Sequence, residues 1–176
     1  MKVVLFKTNF WNPKQFAISL FTWSKITHAG LLFEVQADDR LYDASESRGN
    51  VDFNKPIKDF KNQQIIVYEI PELEFDMKKY ALSKKGVKYD WKGIMGWFPF
   101  LASNDPQTVY CFELVLQTLL SSPTINGRKT EVIAVDLRNK LFRKPIDSDD
   151  ILVLLERACL TPTFIGKAKD YERLGN

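Results

Sequence analysis

Two strand-like segments separated by a short polar turn constrain the fold most. Thr27 to Val35 is dense in apolar residues, Ala37-Asp38-Asp39 supplies the turn, and Arg40 to Glu46 reads as its return. A turn this short joins only antiparallel neighbours, so the chain must hold an antiparallel sheet. The first of these strands opens on His28, and this is the only histidine in the chain.

Other segments add to the same sheet or flank it. Val3 to Lys7 reads as a short buried strand, and Gln64 to Ile70, rich in β-branched residues, as another that stops at Pro71. Asn12-Pro13 starts a helix to about Trp23, with Phe16, Leu20 and Trp23 spaced to share a face. Phe75 to Lys85 is a second helix, which Gly86 ends in the left-handed conformation. The stretch from Tyr89 to Pro106 reads as loop, Cys111 to Leu120 as an apolar helix, and Ser121 to Thr130 as loop. Glu131 to Leu137 suits a strand or a short helix, and Asp147-Ser148-Asp149-Asp150 caps a last helix to about Cys159. The residues from Thr161 onward are basic and thinly apolar, as in an arm or a frayed end. The expectation is an α+β domain over residues 1–160 with a tail over 161–176, since 176 residues suffice for one buried core and not for two domains.

Composition excludes several classes. The net charge of +3 is spread along the chain, so it makes no basic footprint for nucleic acid. One His and two distant cysteines cannot assemble a usual zinc set, Gly93 and Gly96 lack the context of a phosphate loop, and no cofactor is called for. The N-terminal apolar run is too short for a signal peptide, and no stretch approaches the roughly 18 apolar residues of a membrane span. A cytoplasmic setting, or a particle assembled there, is the expectation, and two cysteines do not make a disulfide scaffold.

The residues that suggest chemistry are Cys111 and His28. Turn-like residues precede Cys111 and helical ones follow it, which places it at a helix N-terminus. There the helix dipole and free backbone N–H groups favour a thiolate and can hold a developing oxyanion. Cys159 sits at the far end of a helix, where the dipole opposes ionisation, so packing is its expected role. His28 at a strand end is the one imidazole able to take the thiol proton, and Gly30 leaves room for close approach. A third polar group is needed to fix the imidazole, and Asp43 is the first choice, with Ser45, Glu46 and Glu34 as alternatives.

The order of these pieces resembles the circularly permuted branch of the NlpC-type, papain-like hydrolases, in which the histidine precedes the cysteine. The motifs that carry the resemblance are Thr27-His28-Ala29-Gly30, Gly86-Val87-Lys88-Tyr89-Asp90 and Tyr110-Cys111-Phe112-Glu113-Leu114-Val115. The stretch from Ala44 to Phe53, Trp91 to Gly96, and Pro145 to Leu152 is similar to small members carried by phages and prophages. The match covers roughly residues 1 to 158.

The resemblance implies a central antiparallel sheet with the nucleophile at the start of a packed helix. It implies Cys111 as nucleophile, His28 as general base and later acid, and Asp43 or a near neighbour as orienting group. Tyr89 and Asp90 would shape the cleft floor, and Glu113 would support the nucleophile's helix. The family commonly has a small Ser after the Cys, whereas this chain has Phe112, a ring that either narrows the cleft or packs beneath it. The implied substrate is a peptide, amide or acyl compound, with cell-wall peptide amides on one side of the superfamily. Two rival functions are acyl transfer, as in lecithin:retinol acyltransferase-like relatives with Trp91 and the aromatics up to Phe100 lining an acyl pocket, and a catalytically silent phage structural or host-interaction module.

Overall fold

The expected hairpin is the middle of a larger sheet. The computed structural model describes residues 1–12, 15–16, 19–20, 24–71, 74–91, 107–141 and 145–171. Its strands are β1 (Lys2–Lys7), β2 (Ile26–Val35), β3 (Asp38–Ser45), β4 (Asn50–Pro56), β5 (Gln64–Glu69), β6 (Lys88–Tyr89), β7 (Thr108–Val109) and, near the end, β10 (Phe164–Lys167). They form one sheet of eight strands in the order β10-β5-β1-β2-β3-β4-β6-β7. Every neighbouring pair is antiparallel except β6 and β7, which run parallel.

The turn between β2 and β3 is tighter than the sequence suggests. Val35 pairs with Asp38, so only Gln36 and Ala37 remain, with φ of 53° and 66°. Two left-handed residues match the twist of a two-residue hairpin, a place that favours Asn and Gly. With Gln and Ala there, the strain is on the order of 1 kcal/mol per residue. The compensation is a fixed register, with Leu31 opposite Tyr42 and Leu32 opposite Leu41.

Alternating side chains give the sheet two apolar faces. On one, Val3, Leu5, Leu31, Phe33, Tyr42 and Val51 pack beneath the helices α1 (Glu74–Ser83), α2 (Cys111–Leu120) and α5 (Ser148–Arg157). On the other, Val4, Phe6, Leu32, Leu41, Ile65 and Val67 are joined by Ile57 and Ala168 from two short 3-10 helices and by Tyr171, which follows the second. Most of α2 is buried, as expected of a helix apolar nearly all round. Asp147 caps α5 by accepting from the N–H groups of Asp149 and Asp150 at 3.0 and 3.1 Å, while Asp150 accepts from the Asp147 N–H at 2.9 Å. Such a reciprocal cap is worth about 1 kcal/mol. A 2.6 Å hydrogen bond between Ser24 and Ser148 ties the start of α5 to the chain entering β2.

Several expectations need correction. Asn50 to Pro56, given no element in the sequence reading and overlapping the Ala44–Phe53 motif stretch, is strand β4. Residues 121–130 contain a small hairpin, β8 (Thr124–Ile125) and β9 (Arg128–Lys129), turned at Asn126-Gly127 with φ of 50° and 71°. The segment after it forms two short helices, α3 (Thr130–Ile133) and α4 (Val135–Lys140), rather than a strand. The stretch read as a tail supplies β10 and a 3-10 helix, so the sheet extends past residue 160. Gln15, Phe16, Ser19 and Leu20 are helical, with Phe16 and Leu20 exposed, whereas Trp23 lies outside the described residues. Among the described residues no helix is long and apolar enough to cross a membrane.

Candidate active site

His28 stands near the start of β2, and its ring touches Phe6 on β1 with centroids 5.4 Å apart. Alternation places Gly30 on the same face as His28, and across from Gly30 lies Asp43 of β3. Gly30 has no side chain, so the Asp43 carboxylate can reach diagonally past it. His28 Nε2 and Asp43 Oδ2 are 2.6 Å apart. Asp43 is almost fully buried, whereas the His28 side chain keeps 27% of its exposure.

Cys111 is the first residue of α2. It gets there through a chain of backbone contacts that starts at the β3–β4 turn. Gly86, with φ of 81°, ends the extension of α1 and donates its N–H to the Val51 carbonyl at 2.8 Å. Tyr89 N–H then bonds the Gly49 carbonyl at 2.9 Å, and Asp90 N–H the Val109 carbonyl at 3.1 Å. Val109 leads through Tyr110 into Cys111. Residues more than eighty positions apart are thereby brought together: Asp43 hydrogen-bonds the His28 ring, and Cys111 lies near enough to act on its charge. With Nε2 taken by Asp43, Nδ1 is the ring nitrogen still open to a donor or acceptor.

The electrostatics follow from these contacts. Burial alone would lower the His28 pKa. The charges and hydrogen bonds of Cys111 and Asp43 outweigh it and raise the imidazole from 6.5 to about 10. Burial likewise works to raise Asp43, but His28 and Arg48 hold it below the usual carboxylate range. Arg48 is the residue that sequence reading missed. Its Nη2 donates to Asp43 Oδ1, to the Asp43 carbonyl at 3.0 Å and to the Asp52 carbonyl at 3.2 Å. The available signal was a cation five residues beyond Asp43, just before a turn that Gly49 closes with φ of 74°.

The helix start carries its own polar supports. Tyr110, the N-cap, offers no side-chain cap, and the first N–H groups of any helix lack intrahelical acceptors. Glu113, in the first turn, accepts the Tyr110 backbone N–H and a 2.8 Å bond from Gln117, which accepts a 2.8 Å bond from the Tyr80 hydroxyl of α1. Burial, then the nearby Asp90 carboxylate, push Glu113 up to about 7.

The other expected site residues divide. Tyr89 is buried close to the pair. Burial and then the charges of Cys111, Glu46 and Asp43 push its hydroxyl upward, and its ring meets Trp91 edge-on at 5.2 Å. Trp91 is half exposed, and the aromatics after it, up to residue 106, lie outside the described residues. Asp90 is buried, and its charge acts on Glu113. Phe112 is only 2% exposed and belongs to the main core, so its ring packs beneath the helix. Of the alternatives for the third position, Ser45 bonds Ser47 at 2.9 Å, Glu34 is exposed on β2, and Glu46 is half-buried.

A cavity of about 790 Å³ opens on the far flank of α2, lined by Tyr80, Lys84, Asp90, Glu113, Gln117 and Arg138 among others. Neither Cys111 nor His28 lines it. Among the described residues no group of three His, Cys, Asp or Glu side chains is arranged to hold a metal ion, and both cysteines are free thiols.

No family model matches this chain. No curated protein matches it either. Among solved structures it is similar to the crystal structure of the metalloprotein yiiX from Escherichia coli O157:H7, a DUF1105 protein. The TM-score is 0.58 at 15% identity, over 94% of this chain and 96% of that one. At that identity the likeness speaks for a shared α+β fold and for nothing further.

Proposed function

We propose that this protein is a cysteine hydrolase of the permuted papain-like kind, acting on an amide or ester bond. The observation that carries the reading is that the chain's one imidazole is hydrogen-bonded by Asp43 and lies close to the helix-opening Cys111, which acts on its charge. His28 takes the Cys111 proton, and the thiolate attacks the substrate carbonyl carbon. The carbonyl electron pair moves onto oxygen, where N–H groups at the start of α2 stabilise it. As the tetrahedral species collapses, the bond to the leaving group breaks, and His28 gives the leaving nitrogen or oxygen its proton. Water then attacks the thioester, losing a proton to His28, and the acid is released with Cys111 restored. Asp43 keeps the ring oriented throughout. The chain order, His28 before Cys111, favours the permuted arrangement. Peptide-like amides are the favoured substrates.

Alkylation by iodoacetamide, read by mass spectrometry, tests the mechanism, because Cys159 is an exposed internal reference thiol. At pH 6, Cys111 is expected to label at least about 100-fold faster than Cys159, and His28→Asn to remove that advantage, the usual scale of a general base. Burial alone would make Cys111 the slower of the two. Labelling no faster than Cys159, or unchanged in His28→Asn, overturns the reading in favour of a silent module.

A further inference from the structure

We propose that Arg48 is a positioning residue for this site, clamping Asp43 from behind so that a fixed carboxylate oxygen faces His28. The inference rests on the reading of Cys111 and His28 as a nucleophile pair. The carboxylate of Asp43 uses one oxygen for His28 and the other for Arg48, so it has no free oxygen with which to swing. Arg48 is itself held by the carbonyls of Asp43 and Asp52, on facing positions of β3 and β4. Sheet pairing thus fixes the cation, the cation fixes the carboxylate, and the carboxylate fixes the imidazole.

The charges around this line are few. Cys111 faces His28 from α2, and Tyr89 and Glu46 lie on the β6 and β3–β4 turn side. On the outer side the Asp52 carboxylate is paired with Lys85 at 3.3 Å. Among the described residues Arg48 is the cation paired with Asp43 apart from His28, and it helps keep that buried carboxylate ionised. Removing its charge lets Asp43 take up a proton at higher pH and makes the thiolate–imidazolium pair form at higher pH. Both effects move the acid limb of thiol reactivity the same way.

The test is the pH profile of Cys111 alkylation in the full chain for wild type, Arg48→Gln, Arg48→Met and Arg48→Lys, with thermal unfolding run on each. Both charge-free variants are expected to shift the acid limb upward by roughly one pH unit and to slow labelling at pH 6 about tenfold. All three Arg48 contacts come from one nitrogen, so a lysine ammonium with its three N–H groups is expected to restore the wild-type limb. A folded Gln or Met variant with the wild-type limb overturns the proposal, as does a Lys variant shifted as far as Gln. If His28→Asn removes labelling in the same series, that failure concerns Arg48 alone. If His28→Asn changes nothing, the nucleophile pair itself is wrong.

Discussion

Gly30 and Asp43 share one small space: a Cβ placed on Gly30 would lie 3.2 Å from the Asp43 Cβ and 2.5 Å from Leu41 Cδ1. The missing side chain on β2 is what lets the β3 carboxylate cross to His28, two residues along the strand. An alanine there must displace Leu41, a fully buried core residue, or Asp43.

Gly30→Ala is therefore expected to cost about 1–3 kcal/mol, the range for overpacking, and to slow Cys111 alkylation by pushing Asp43 out of line. Urea unfolding and the labelling assay measure the two effects. An unchanged urea midpoint with normal labelling means that this corner of the sheet has slack the geometry does not show.

The raised imidazole predicts how stability depends on pH. An unfolded histidine titrates near 6.5, and His28 in the fold at about 10, so its protonated form is favoured by folding. That contribution is complete below pH 6.5 and is lost as pH rises toward 10. Asp43 has the opposite sign: its pKa is lowered by folding, so its contribution is present above about 3.8 and fades as pH falls through the folded value. Urea midpoints measured from pH 6 to 10 should fall more steeply in wild type than in His28→Asn. Cys111→Ser should flatten the curve as well, because the thiol is one cause of the shift. Parallel curves for all three proteins contradict the coupling.

What could be read from the chain follows from the range of the forces involved. The β2–β3 hairpin and the Cys111–Leu120 helix are set by local apolar patterning, and α2 begins at the expected residue. Asp43 was reachable because alternation along β3 limits the side chains that can face a β2 residue. The β8–β9 hairpin carried a local signal, Asn126-Gly127, that a polar loop reading passed over. Strand β4 was hidden because its pattern is diluted by Asp52, Asn54 and Lys55, and β3 beside it supplies its pairing. Arg48 and β10 belong to the same class: their roles depend on partners that pairing brings close, and a turn cation or a basic C-terminal stretch looks solvated until that pairing is known.

Phe112 separates a cleft-lining ring from a core ring. Nearly all of its side chain is buried among the residues beneath α2. Phe112→Ala, or Phe112→Ser as the family resemblance suggests, should cost about 3–5 kcal/mol through the cavity left behind. Calorimetry or urea unfolding provides the number. A stable variant with faster turnover of bulky esters would instead place the ring in the substrate's path.

The C-terminal stretch is expected to be integral to the sheet. Thr163 N–H bonds the Val67 carbonyl at 2.8 Å, β10 continues the pairing with β5, and Ala168 N–H returns to the Gln63 carbonyl at 2.9 Å. Tyr171 then closes the second apolar face, its ring 5.3 Å from Phe164 and its hydroxyl donating to Asp39 at 2.8 Å. Asp39 also pairs with Lys2 at 2.8 Å, so this contact joins the first strand to the last turn. Truncation after Leu160 removes the ring and leaves the β5 edge unpaired, an invitation to intermolecular strand pairing. The truncated chain should unfold at least about 3 kcal/mol more easily and aggregate on size-exclusion chromatography. Tyr171→Phe, which removes only the hydroxyl, should cost about 1 kcal/mol and stay monodisperse. A truncated chain as stable and monodisperse as the full one would make residues 161–176 the detachable arm that their composition suggests.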